Sequence, residues 1–187
     1  MRKIMYFVVL SMTTLWISSC TNKPQQAAIA ADSVDTDTLA VTDSTIYGRC
    51  GDGTAMHTLE LVTDKGDTLT LGINDEDPVS NVKGGLSVGD RMAVIVSKDA
   101  SSDIDQAKLV VNLTTLLGKW VSLDKNFELK EGGAVVSNAK EPKPYTEWKI
   151  FNGKLVLSAD TFSIYELGAD SLYLENEKGI YAYKRLK

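Results

Sequence analysis

Trp148-Lys149-Ile150-Phe151-Asn152-Gly153-Lys154-Leu155-Val156-Leu157 decides the fold of this chain. Two short runs rich in aromatic and branched residues flank Asn-Gly, the pair that most readily takes positive φ at both central positions of a two-residue hairpin. Residues 146–151 and 154–157 are therefore expected to be antiparallel strands. Working outward, similar pieces precede them at 119–123, 127–129 and 134–137 and follow them at 162–167, 172–174 and 180–184. Glu131-Gly132-Gly133 and Leu167-Gly168-Ala169-Asp170 supply further turn chemistry between them. Eight short strands in succession with tight connections predict an up-and-down meander, closed on itself because a closed sheet has no unpaired edge. The fold class is all-β.

Upstream, residues 45–114 alternate with period two. Leu59 and Leu61 share one face of the run His57-Thr58-Leu59-Glu60-Leu61, and Leu69, Leu71 and Ile73 repeat the pattern after Asp64-Lys65-Gly66-Asp67. That pair reads as a hairpin. Gly84-Gly85-Leu86-Ser87-Val88-Gly89-Asp90 leads into Arg91-Met92-Ala93-Val94-Ile95-Val96, a nearly continuous apolar strand expected to be buried on both faces. Lys108-Leu109-Val110-Val111-Asn112-Leu113 follows a polar loop. Five strands in about 70 residues, with a long connection between the third and fourth, predict a small Greek-key barrel.

The chain begins quite differently. Arg2-Lys3, the apolar run Ile4 to Leu10 and the segment Leu15-Trp16-Ile17-Ser18-Ser19 end at Cys20. A basic end, a short apolar segment and small residues at a cleavage point make an export signal, and the run is too short and too polar to span a bilayer. Ile17-Ser18-Ser19-Cys20 resembles the lipobox of bacterial lipoproteins. The resemblance implies that residues 1–19 are removed, that Cys20 carries acyl chains, and that the membrane is a partner through those chains. Thr21 after the cysteine implies the outer membrane. Residues 20–44 carry Gln, Ala, Ser, Thr and four Asp with no aromatic residue, the composition of a flexible tether. As a coil it would reach on the order of 25 to 30 Å.

Gly85-Leu86-Ser87-Val88-Gly89-Asp90 before an apolar strand, with the order of strands in 45–114, resembles OB-fold domains. Such domains often stack bases on aromatic side chains of their second and third strands. The corresponding positions here are Thr58, Glu60, Thr68 and Thr70. Peptide or glycan contact, or a structural spacer, is the reading that remains. Residues 115–187 resemble the lipocalin-like domains of bacterial lipoproteins. The resemblance is carried by Leu117-Gly118-Lys119-Trp120, the turn at Gly132-Gly133, the second tryptophan in Thr146-Glu147-Trp148-Lys149, and the ending Tyr181-Ala182-Tyr183-Lys184-Arg185. It implies that Trp120 closes one end of the barrel and that the ligand is small and apolar or amphipathic. Trp120, Trp148, Phe151 and Tyr165 are the candidate ligand-contacting residues. Strands of four to seven residues span only about 13 to 23 Å, so these aromatics are read first as core that fills the interior and second as pocket walls.

Loss of residues 1–19 removes Arg2 and Lys3 and no carboxylate, so 20 Lys plus Arg fall to 18 against 25 Asp plus Glu, and the formal charge goes from −5 to −7. That balance, without a stacking platform, excludes nucleic acid as the expected partner. With Cys20 acylated, Cys50 has no disulfide partner and is expected to be a small buried hydrophobe. One histidine, His57, and one free cysteine, Cys50, with scattered carboxylates do not make a zinc site of the usual N/S type, and no Ser/His/Asp or Cys/His set is expected beyond His57 and Cys50, seven residues apart. Asn74-Asp75-Glu76-Asp77 lacks the spacing of a calcium loop and reads as solvated. Asn112-Leu113-Thr114 matches a glycan acceptor without meaning in a bacterial exported protein. The expectation is a non-enzymatic envelope protein without a cofactor, which binds either a small apolar ligand or an envelope protein partner.

Overall fold

A computed structural model describes residues 42–74, 80–98, 103–137 and 140–187. The signal at 1–19, the acyl site Cys20, most of the tether at 20–44 and the carboxylates Asp75, Glu76 and Asp77 lie outside the described residues. From residue 42 onward the chain packs as one compact unit built of two β-sheets.

The first sheet contains β1 (Ile46–Cys50), β2 (Thr58–Thr63), β3 (Thr68–Gly72), the short β4 (Val82–Lys83), β5 (Arg91–Ser97) and β6 (Gln106–Asn112). Its order is β3-β2-β1-β5-β6-β4, and a parallel pairing of Gly72 with Gln106 brings β3 and β6 together, so five strands close on themselves. Cys50, Leu59, Leu61, Leu71, Met92, Val94 and Val110 fill the enclosed space.

The apolar continuity of β5 has a specific cause. Met92 and Val94 point into this first core, whereas Ala93 belongs to the core of the second sheet, together with Val111 of β6. A strand caught between two cores has no polar face to show.

The second sheet contains β7 (Gly118–Val121), β8 (Asn126–Leu129), β9 (Val135–Ser137), β10 (Trp148–Phe151), β11 (Lys154–Leu157), β12 (Asp160–Leu167), β13 (Ser171–Asn176) and β14 (Gly179–Arg185). All eight strands expected from the sequence are present in sequential antiparallel order, and β14 pairs with β7 through Lys184–Val121 and Arg185–Trp120. The remaining seam, between β9 and β10, is crossed by a bridge between Ala134 and Glu147 and by Val135 N–H donating to Thr146 O at 3.0 Å. The result is a nearly closed up-and-down barrel.

Side chains occupy its interior. Phe127, Leu129, Ile150, Leu155, Leu157, Phe162, Ile164, Leu172, Leu174 and Tyr183 are all buried and packed in one cluster. A register shift between Ile164 and Glu166 inserts one residue into β12, so that Leu167 turns inward where strict alternation would have pointed it out.

One end of this barrel is sealed against the first sheet. Asn112 accepts from Thr115 N–H at 2.9 Å and so caps a single helical turn, α1 (Leu113–Leu116), that carries the chain from β6 into β7. Its amide also donates to Asp90 Oδ2 at 2.7 Å and to Gly85 O at 3.1 Å, which tethers the glycine-rich loop. Asn112 is therefore a buried structural hub.

Trp120, fully buried, donates its indole N–H to Leu116 O at 2.9 Å, and the Arg185 guanidinium lies 4.2 Å over its ring while donating to the carbonyls of Thr115, Leu117 and Ala169. Tyr47 Oη donates to Ile150 O at 2.8 Å, and Lys83 Nζ to Tyr165 O at 2.8 Å. Burial holds the Lys83 ammonium below its ordinary pKa, and Glu166 partly offsets that.

Candidate functional site

Because one end is sealed, ligand access has to be sought at the other, where the turns β7–β8, β11–β12 and β13–β14 gather together with the chain leading into β10. The β7–β8 turn is tightened by Ser122, whose hydroxyl accepts from Lys125 N–H at 3.0 Å while its own N–H donates to Lys125 O at 2.8 Å. This turn leaves Leu123 fully exposed. Across the opening, Asn176 Oδ1 accepts from Lys178 N–H at 2.9 Å and shapes the β13–β14 turn, and just after it Ile180 stands 57% exposed. Two large apolar side chains thus stand in water at the lip of the barrel.

Between them lies a pocket of about 310 Å³ lined chiefly by Leu123, Lys125, Tyr145, Ile180, Tyr181 and Tyr183. Tyr181 and Tyr183 share a face of β14 by its period of two. Tyr145 arrives from the chain before β10, fixed by Ser137 Oγ donating to Tyr145 O at 2.9 Å. The rings are braced from below. Phe127 meets Tyr183 edge-on at 5.1 Å and Tyr145 at 5.6 Å, and Phe162 meets Tyr181 at 5.7 Å. Aromatic bodies with polar tips suit an amphipathic molecule, whose apolar part can rest on the rings while its polar part stays wet.

Burial pushes the phenol of Tyr145 up to about 12, with Asp160, Tyr181 and Glu141 adding to the rise, and Tyr183 is raised further for the same first reason. Both phenols are neutral at ordinary pH. A phenol whose folded pKa is raised leaves stability intact below its unfolded value near 10 and removes it as pH climbs toward the folded value. Alkaline titration is expected to show stability falling from about pH 10, with the last tyrosinate absorbance developing together with loss of β-sheet circular dichroism. Complete tyrosine ionisation in a still-folded protein would contradict this.

A larger groove of about 520 Å³ lies at the same end among Lys154, Asp160, Thr161, Glu175 and Lys178. Its polar side chains do not suit an apolar guest. Among the described residues, no group of three or more His, Cys, Asp or Glu side chains is placed to hold a metal ion. Cys50 is free and buried.

The residues singled out from the sequence occupy three different places. Trp120 seals the closed end. Trp148 packs at the β9–β10 seam, its indole N–H donating to Lys130 O at 2.7 Å, and Phe151 lies half-buried on the outer face with Lys149 Nζ 5.5 Å above its ring. Tyr165 is 45% exposed on the outside of β12. They do not come together around one space. The residues that do converge, Tyr145, Tyr181 and Tyr183 with Lys125, Leu123 and Ile180, were legible only in part. The alternation Tyr181-Ala182-Tyr183 marks one wall, whereas Tyr145 and Leu123 sit in turns that have no period.

Residues 112–186 match a family model described as Lipocalin-like. No curated protein and no solved structure matches the chain.

Proposed function

We propose that this chain is an exported, lipid-anchored cell-envelope protein that acts without catalysis as a binding module for a small hydrophobic or amphipathic ligand at the open end of the C-terminal barrel. The observation that carries this reading is the tyrosine-lined pocket of about 310 Å³ between two exposed apolar side chains, at the free end of a lipocalin-like barrel. The interior is already filled, so the ligand rests in the mouth and does not enter the barrel. The neutral fluorophore N-phenyl-1-naphthylamine should brighten on binding the wild type, and Leu123→Asp with Ile180→Asp should weaken binding at least tenfold without lowering stability, because both side chains are already in water. Unchanged binding in the double variant would place the ligand elsewhere.

Anchoring through Cys20 rests on the lipobox-like ending of residues 1–19. Two or more chains are needed for stable attachment. Cells fed labelled palmitate should label the wild type, and Cys20→Ser should abolish the label and release the protein from the membrane fraction. A Cys20→Ser protein that still carries palmitate would refute the assignment. Outer-membrane placement follows from Thr21 in the same reading. The order β1-β2-β3-β6-β5 with a parallel closing pair supports an OB-like reading of residues 45–114, whose duty is then that of a rigid spacer.

A filled barrel interior favours a second reading, in which the β domains dock an envelope protein. Crosslinking in cells would then recover one partner, and no small molecule would copurify.

A further inference from the structure

Within the mouth, Lys125 is held in an unusual way. Its ammonium lies 4.2 Å over the ring of Tyr145, 2.7 Å from Lys143 O and 3.4 Å from Glu141 Oε2. Glu141 is itself largely buried, with its side chain 11% exposed. One of its oxygens accepts from Asn126 N–H at 2.9 Å, whereas Oε2 is buried without a hydrogen bond among the described residues. An aromatic face, a carbonyl and an under-satisfied carboxylate converge on one point, the combination that binds a cation shielded from water. Lys125 and Tyr145 also line the open pocket, so the same point can be approached from solvent.

We propose that the mouth accepts a small organic cation, an alkylammonium, whose head takes the place now filled by the Lys125 ammonium and whose apolar chain lies along Tyr181 and Tyr183. The inference rests on the reading of the mouth as the ligand site and adds the charge of the ligand. Lys125 is then a built-in competitor that occupies the cage when no ligand is present and swings out on its flexible arm when one enters. The surroundings agree with this sign of charge. Asp124, Glu141 and Asp160 act on the two buried tyrosines, and the chain without its first 19 residues carries a formal charge of −7, which draws cations toward the surface.

Hexylammonium and hexanol, equal in chain length and different in charge, separate the possibilities. Both are titrated into the full-length chain carrying Cys20→Ser, so that no acyl chain competes, and binding is followed through the nuclear magnetic resonance shifts of the tyrosine rings. Hexylammonium is expected to bind about tenfold more tightly than hexanol. Lys125→Met should tighten hexylammonium by about a further tenfold and leave hexanol within about twofold. Glu141→Gln, which keeps an oxygen for Asn126 N–H, should erase the preference. Equal affinity for the two molecules in the wild type, or weaker hexylammonium binding in Lys125→Met, overturns the cation inference and leaves the mouth as a ligand site. Failure of both molecules to shift the Tyr145, Tyr181 and Tyr183 rings overturns that reading as well. The comparison of the two molecules in the wild type needs no substitution, so it stands even if a variant folds poorly.

Discussion

Trp120→Ala is expected to destabilise the protein by about 3 to 5 kcal/mol, the range for deleting a large buried aromatic. The indole is fully buried at the sealed end, and three losses coincide there. A cavity opens beneath Leu116, the Leu116 carbonyl loses the indole N–H, and the Arg185 guanidinium loses the ring it covers. Trp120→Phe keeps most of the volume and should cost clearly less. Denaturant unfolding followed by circular dichroism measures both. Since Ala93, Val111, Leu113 and Leu116 share one core with the second barrel, the midpoint should fall as a single transition seen by all probes. A cost below about 1 kcal/mol for Trp120→Ala would mean that the sealed end contributes little to stability.

Gly153→Val should cost about 2 to 4 kcal/mol, for reasons on both sides of the turn. Asn152 and Gly153 both have positive φ, 49° and 75°, and a β-branched residue resists that conformation. In addition, a Cβ at Gly153 would lie 2.7 Å from Leu109 Cδ2 and 3.0 Å from Ile95 Cγ1, side chains of the first sheet. The added methyls would therefore push the two sheets apart. Asn152 carries a second duty beside it. Its N–H donates to Asp43 Oδ1 at 2.9 Å and its Oδ1 accepts from Ser44 N–H at 2.8 Å, which fixes the start of the described chain against the β10–β11 turn. Thermal unfolding of Gly153→Val and Gly153→Ala checks the account. Alanine, with the backbone strain but a smaller clash, should fall between glycine and valine, and equal values for all three would contradict it.

The parts of the fold that follow a short period were legible in the sequence. Asn152-Gly153 announced its hairpin because few other pairs tolerate two positive φ angles, and the alternation of Leu59 with Leu61 and of Leu69 with Leu71 set which face is inside. The contact between the two sheets was not legible. Ala93 and Val111 look like ordinary members of apolar strands, and only the fold assigns them to a different core from Met92 and Val110. Asn112 read as a meaningless glycan motif because its role as a cap depends on Thr115 and Asp90 arriving beside it. The same reason hid the mouth. Aromatic residues drew attention by size to Trp120, Trp148, Phe151 and Tyr165, whereas a pocket depends on which side chains the turns deliver to one point, and Leu123, Lys125 and Tyr145 come from irregular segments.

Native mass spectrometry of the protein purified from the cells that make it tests the central claim most directly. A second species heavier than the protein by one small-molecule mass is expected in the wild type and should be lost from a Leu123→Asn, Ile180→Asn double variant, which removes the apolar lip without adding charge. Wild-type protein that carries no added mass, or a double variant that retains it, would contradict a ligand site at the barrel mouth.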